Sequence, residues 1–206
     1  MGITTTDAIN TGLTLDQVVL ENIAGSIAVK KAFLEDAALL AACVKAAELL
    51  CSALRAGRRV FLMGNGGSAA DAQHIAAELV GRYKMERPGL PVMALTVNTS
   101  CLTAIGNDYS YEMVFARQIE AFAVRGDVAI GISTSGNSRN VLEALAAARK
   151  VGARTIGLTG RGGGQMRSVT DLCLCVPSDE TPRIQESHIL IGHILSDIVE
   201  RELFEN

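Results

Sequence analysis

A five-stranded parallel α/β sheet flanked by helices is the fold class this chain predicts, and two observations predict it: short apolar runs, and helical patterns filling the gaps between them. The runs are RVFLM at 59–63, PVMAL at 91–95, VAIGI at 128–132, TIGLT at 155–159 and LCLCV at 176 and the four residues before it. They are apolar nearly throughout rather than alternating, as strands buried on both faces are. Helical patterns occupy about 68–83, 111–124 and 138–151, and right-handed crossovers then leave few topologies. The flavodoxin-like order 2-1-3-4-5 is the expected one.

Each remaining element follows in order. Residues 1–14 are expected to form a flexible N-terminal extension. From Leu15 to about Ala56 the chain is rich in Ala, Leu, Val, Lys and Glu at helical spacing and lacks proline, so two long helices fit, and Gly57 is a natural stop. The closing segment predicts a long amphipathic helix to about Leu203, with Thr181 as N-cap and Pro182 in the first turn. No repeat or linker divides the chain, so residues 1–206 read as one domain. The helices at its two ends exceed what one small sheet needs for cover, which predicts packing against other subunits.

Composition narrows the function. Hydrophobic residues make up 49% of the 206 but aromatics only 4%, with no Trp, so the core is aliphatic and the chain is a folded domain rather than a disordered one. Lys and Arg number 19 against 22 Asp and Glu, a net charge of −3; this predicts no nucleic-acid and no membrane-surface partner. Five cysteines at unpaired spacing (Cys43, Cys51, Cys101, Cys173, Cys175) are expected to be reduced and buried in a cytoplasmic protein. The sequence shows no unbroken apolar run near 18 residues and no secretory leader pattern.

Two loops carry the chemistry. The first strand ends in Gly64-Asn65-Gly66-Gly67-Ser68 and the third in Ser133-Thr134-Ser135-Gly136-Asn137-Ser138, each directly before a helix. Glycine lets backbone approach a ligand, the helix N-terminus presents free N–H groups, and hydroxyls add donors, which together suit a phosphate. In the order 2-1-3-4-5 both loops flank one crevice. Gly64 to Ala69 also satisfies a loose dinucleotide pattern, but the acid expected after the second strand is missing, where the chain reads Thr96-Val97-Asn98. No Lys or Arg stands in either loop, favouring one terminal phosphate over a triphosphate with Mg²⁺.

His74 and Glu78 are four apart in the helix leaving the first loop and share a face. Gln185 and His193, eight apart on the closing helix, project within about 80° of each other. Imidazole, carboxylate and amide oxygen together suit a Zn²⁺-type site or a metal-free acid–base set, and spacing alone leaves both open. His188 points away from His193 and is undecided between core and site. Asn107 and Asp108, after Gly106, read equally well as a polar substrate contact or a turn.

Four stretches, Gly64 through His74, Leu102 through Asp108, Gly131 through Ser138 and Arg183 through His188, together resemble the sedoheptulose-7-phosphate isomerases of the sugar-isomerase (SIS) domain family, over nearly the whole chain from about residue 16. The resemblance implies a cytoplasmic homotetramer with sites at subunit interfaces, converting sedoheptulose 7-phosphate to D-glycero-D-manno-heptose 7-phosphate for lipopolysaccharide-type surface glycans. It implies that Ser68, Ser133, Thr134, Ser135 and Ser138 hold the phosphate and that Asn65, Gly66, Gly67, Asn107 and Asp108 line the sugar, with Glu78 and Gln185 also in reach of substrate. It further implies one Zn²⁺ per subunit on His74, Glu78, Gln185 and His193, with Glu78 as base and His193 as acid or proton shuttle. Asn98 departs from the Asp expected in many of these isomerases. Alternatives are an isomerase of another sugar phosphate, and a non-catalytic SIS protein that binds the replication initiator DnaA; that relative lacks the glutamate four residues after the loop histidine, so Glu78 argues for catalysis.

Overall fold

The structure, a computed structural model, describes residues 12–205; residues 1–11, most of the expected N-terminal extension, lie outside the described residues. Two helices, α1 (Leu15–Glu35) and α2 (Ala37–Arg55), precede the sheet. Thr14 opens α1 with a reciprocal capping box to Gln17, and Asp36 both ends α1 and caps α2 through the Leu39 N–H. Gly57 follows the end of α2 as expected, its N–H reaching Leu54 O at 3.0 Å.

The sheet follows the expected order. Strands β1 (Val60–Gly64), β2 (Val92–Ala94), β3 (Val128–Ile132), β4 (Arg154–Thr159) and β5 (Leu172–Cys175) pair in parallel as β2-β1-β3-β4-β5. Every residue of β1 and β3 is buried. Alternate side chains feed two cores: Val60, Leu62, Val128 and Ile130 face α2, α3 (Gly67–Val80) and α8 (Thr181–Phe204), while Phe61, Met63 and Ala129 face α5 (Ala116–Phe122) and α6 (Arg139–Val151). A helix α4 (Thr99–Asp108), a 3₁₀ turn (Tyr111–Met113) and a short α7 (Met166–Val169) complete the fold.

Four expectations need correction. The helical pattern at 111–124 resolves into a 3₁₀ turn and the short α5. Thr181 is the first helical residue of α8 rather than its cap, which is Glu180, and no side chain bonds the first-turn N–H groups. Only Cys43 and Cys51 are buried; Cys101, Cys173 and Cys175 are partly exposed, all five being free thiols, and the sulfurs of Cys173 and Cys175 lie 3.7 Å apart. Finally α2, 19 residues with a mean hydropathy of 1.8, is long and apolar enough to cross a membrane by composition. Its apolar character has a local explanation, since Leu39, Cys43, Ala47, Leu50 and Leu54 are buried in the core beside α8 and β5.

Candidate active site

The two glycine- and hydroxyl-rich loops lie side by side because β1 and β3 are neighbours, with Gly64 paired to Ile132. Gly66 takes φ +54 at the start of α3, a conformation L side chains rarely adopt. A Cβ on Gly64 would come within 2.7 Å of the Ser68 carbonyl oxygen, so this strand end needs glycine for space rather than for torsion. Neither α3 nor α6 carries a side-chain cap, in contrast to α1, α2 and α4. The Ser68, Ala69 and Val141 N–H groups bond to the carbonyls of Asn65, Gly66 and Ser138 at 3.0, 3.0 and 3.1 Å, which leaves the first N–H groups, those of Gly67, Arg139 and Asn140, for an anion.

Three hydroxyls converge in the second loop. Ser133 Oγ lies 2.8 Å from Ser138 Oγ and 3.5 Å from Ser135 Oγ. The Thr134 carbonyl accepts from Gly160 N–H at 2.9 Å, and Met166 N–H donates to Gly136 O at 3.0 Å. Gly136, at φ +68, packs directly on the backbone of Gly163 and Gly164. The run Gly162-Gly163-Gly164 thereby gains a role the sequence did not disclose: it is the backing of the second loop, and a Cβ at Gly136 or Gly164 would strike main chain.

Two further residues join the loops. Asn65 and Asn140 exchange amide hydrogen bonds of 2.9 and 2.8 Å, and Tyr111 OH donates to Asn65 Oδ1 at 3.1 Å. Asn140 is buried and stands just past Ser138, which was the only sequence signal for it. Asn107 and Asp108 end α4, exposed and bonded to each other at 2.9 Å, and Asn98 caps α4 through the Cys101 N–H.

His74, Glu78 and His193 come together across α3 and α8. His74 Nε2 lies 3.0 Å from Glu78 Oε1 and 3.3 Å from His193 Nε2, and the three ligand-type atoms fall within 4.8 Å of one another. The helices meet closely beside this cluster: Gly192, next to His193, has no room for a Cβ against Ile75, next to His74. Two imidazole nitrogens facing each other beside a carboxylate place three lone pairs at one point, an arrangement that a shared proton or a cation relieves. Two imidazoles and one carboxylate with an open position also form a catalytic zinc donor set. Gln185 packs against Gly67 at the N-terminus of α3, so the structure sets its amide beside the first loop rather than within the three-residue cluster.

The ionisable surroundings differ. Asp71, one turn before His74, has a buried carboxylate oxygen without a hydrogen-bond partner, and burial pushes its carboxyl up to about 6, opposed by His74. His188 is fully buried and belongs to the core, its Nε2 3.1 Å from Thr159 O. Burial brings its imidazole down to about 4, against the pull of that carbonyl.

Comparison with known proteins assigns this architecture. The SIS domain model matches residues 26–160. A phosphoheptose isomerase of Geobacter sulfurreducens is 65% identical over 158 residues, covering 77% of this chain and 84% of the relative. One of Sulfurimonas denitrificans is 53% identical over 190 residues, covering 92% and 97%. The chain belongs to the phosphoheptose isomerases of the SIS domain family. Solved phosphoheptose isomerases share its fold along nearly their full length: that of Neisseria gonorrhoeae superposes with a TM-score of 0.86 at 45% identity, covering 91% of this chain and 99% of its own. That of Francisella tularensis gives 0.88 at 37% identity, covering 92% and 100%. Within this isomerase the two glycine- and hydroxyl-rich loops lie inside the SIS span, whereas α8 with Gln185 and His193 lies beyond it.

Proposed function

We propose that this phosphoheptose isomerase converts D-sedoheptulose 7-phosphate to D-glycero-D-manno-heptose 7-phosphate, the first step towards an activated heptose for surface glycans. The observation that carries the reading is that one helix joins a glycine- and hydroxyl-rich loop to an imidazole–carboxylate cluster: Ser68 and His74 are six residues apart on α3, a rise of about 9 Å. A sugar phosphate held by its phosphate at the first end presents its carbonyl carbons towards the second.

Ser68, Ser133, Thr134, Ser135 and Ser138 bind the phosphate together with the N–H groups of Gly67, Arg139 and Asn140 at the starts of α3 and α6. Asn65, held by Asn140 and Tyr111, and the backbone of Gly66 and Gly67 line the sugar, with Gln185, Asn107 and Asp108 as further contacts. Anchoring at a distance orients the open-chain carbonyl without taking part in the chemistry. Glu78 removes the proton from the carbon beside the ketone, giving an enediol, and returns it to the former carbonyl carbon, while His193 moves the hydroxyl proton from one oxygen to the other. The donor set fits one Zn²⁺ per subunit on His74, Glu78 and His193; Gln185, whose amide lies against Gly67, would become a fourth ligand by turning its side chain from the first loop towards the cluster. Bound there, Zn²⁺ supplies Lewis-acid polarisation of the substrate oxygens.

Oligomerisation has support from α1, which exposes Leu15, Val19, Leu20, Ile23 and Leu34, more apolar surface than a lone helix in water retains. His74 is 48% exposed, so the cluster opens outward, as a site completed at a subunit interface of a cytoplasmic homotetramer would.

The test is incubation of the purified protein with sedoheptulose 7-phosphate, following the aldose product with and without chelator. Product formation that chelator abolishes and Zn²⁺ restores supports the reading. A metal-replete protein that forms no product overturns it, and turnover of a shorter sugar phosphate alone moves the substrate class.

A further inference from the structure

The segment between α3 and β2 has no regular structure, yet it is docked on α8 at three successive turns. The Tyr83 ring stacks on the His193 imidazole, with centroids 5.7 Å apart and planes 24° from parallel. One turn on, Lys84 Nζ lies 3.1 Å from Asp197 Oδ1. A turn further, the Glu200 carboxylate accepts the backbone N–H groups of Tyr83, Lys84 and Met85 at 2.8, 2.8 and 3.0 Å. The same carboxylate accepts Arg87 Nε at 3.0 Å, both side chains of this ion pair being 1% exposed.

Besides a bond to the Pro88 carbonyl at 3.1 Å, the other Arg87 donors go to the end of α3. Its guanidinium donates to the carbonyls of Glu78 and Leu79 at 2.8 Å each and to that of Gly81 at 3.0 Å, closing the helix end that carries Glu78. Burial alone would raise the Glu200 carboxyl, but the three N–H groups and Arg87 hold it below the usual carboxylate range. An ion pair this deep adds little net stability over an apolar pair. It does fix geometry, because each of its members binds one of the two helices that supply the cluster.

We propose that the 82–88 segment is a positioning element of the active site, in which the Arg87–Glu200 pair locks the ends of α3 and α8 together and seats the Tyr83 ring as the wall that holds the His193 imidazole towards His74 and Glu78. Tyr83, Arg87 and Glu200 are positioning residues; none donates to the three-residue cluster itself. The inference rests on the reading of His74, Glu78 and His193 as the metal and proton-transfer site. Partners that orient metal-binding imidazoles are commonly worth about 10-fold to 100-fold in metal affinity or activity.

The experiment compares full-length Tyr83→Ala, Tyr83→Phe and Glu200→Gln with the parent protein, measuring Zn²⁺ affinity of the metal-free protein by competition with a chromophoric chelator, kcat and KM, and thermal unfolding. Tyr83→Ala should weaken Zn²⁺ binding about 10-fold or more and lower kcat with little change in KM, since the phosphate loops are untouched. Tyr83→Phe keeps the ring and should restore both. If Glu200 acts through Tyr83, Glu200→Gln should add little to the Zn²⁺ loss once Tyr83→Ala is present, a non-additivity that a general loss of stability would not produce. Parent-like Zn²⁺ affinity and kcat in Tyr83→Ala overturn the proposal, as does failure of Tyr83→Phe to rescue. His193→Gln separates the two levels: if it abolishes Zn²⁺ binding while Tyr83→Ala does not, the site reading stands and the positioning role falls; if it binds Zn²⁺ and turns over like the parent, both fall.

Discussion

Ser68 and Glu78 stand ten residues apart on α3, and the two ends of that helix are held by different means. At the N-terminal end backbone and neutral hydroxyls prevail: Gly66 at positive φ, Gly136 pressed on Gly163 and Gly164, helix starts left without side-chain caps, and the Ser133, Ser135 and Ser138 hydroxyls. At the C-terminal end it is side chain: imidazoles, a carboxylate, a stacked tyrosine and a buried arginine–glutamate pair. Backbone suits a ligand whose charge and shape do not change during the reaction, as a phosphate's do not. Side chains are needed where protons move, because only they titrate in the working range.

The largest expected effect strikes the side-chain end alone. Glu78→Gln should lower kcat by about 10² or more while KM stays within a few-fold of the parent; an unchanged kcat removes Glu78 from proton transfer. Acid should strike the core of the protein, at His188 of α8 beside β4. Below pH 6.5, its ordinary value, His188 takes up a proton in the unfolded chain but in the folded chain only near pH 4. At His188 the unfolded state thus binds more protons in that window, so this residue's contribution to stability is whole above pH 6.5 and falls as pH drops towards 4, by on the order of 3 kcal/mol, while the raised Asp71 carboxyl works in the opposite sense. Melting temperature against pH measures this, and His188→Met should flatten that part of the curve.

Smaller effects belong to the backbone end. Gly136→Ala should cost about 2 kcal/mol in denaturant unfolding, because it strains a positive φ and drives a methyl into the Gly163 carbonyl. It should raise KM with little change in Zn²⁺ affinity, and a Zn²⁺ loss equal to that of Tyr83→Ala would erase the distinction between the ends. Ser135→Ala removes one neutral donor from the phosphate and should raise KM about tenfold, read from initial rates at varied substrate; a parent-like KM counts against Ser135 as a contact.

The same contrast explains what could be read without coordinates. Strands of continuous Val, Ile and Leu, glycine-rich loops at their ends and His74 four residues before Glu78 are local patterns, and local sterics dictate them. The convergence of His193 on His74 joins residues 119 apart; spacing on each helix suggested compatible faces, and only the packing of α8 on α3 brings them together. Asn140 and Tyr111 were missed because an amide and an exposed tyrosine carry no pattern of their own. Gly162-Gly163-Gly164 looked like a bare loop since its partner, Gly136, lies across a crossover. Arg87 and Glu200 belong to no sequence pattern, and their burial depends wholly on the chain folding back between α3 and β2.

Gly192 gives this arrangement a calibrated width. The gap between α3 and α8 is set where a hydrogen atom meets Ile75, one residue from each of the two histidines. Ligand spheres tolerate errors of roughly 0.5 Å, less than the displacement a single methyl would impose on a helix pair in contact. Any side chain at position 192 would push α8 off Ile75 and carry His193 away from His74 and Glu78, so the spacing of these three donors is gauged by a side chain that is absent.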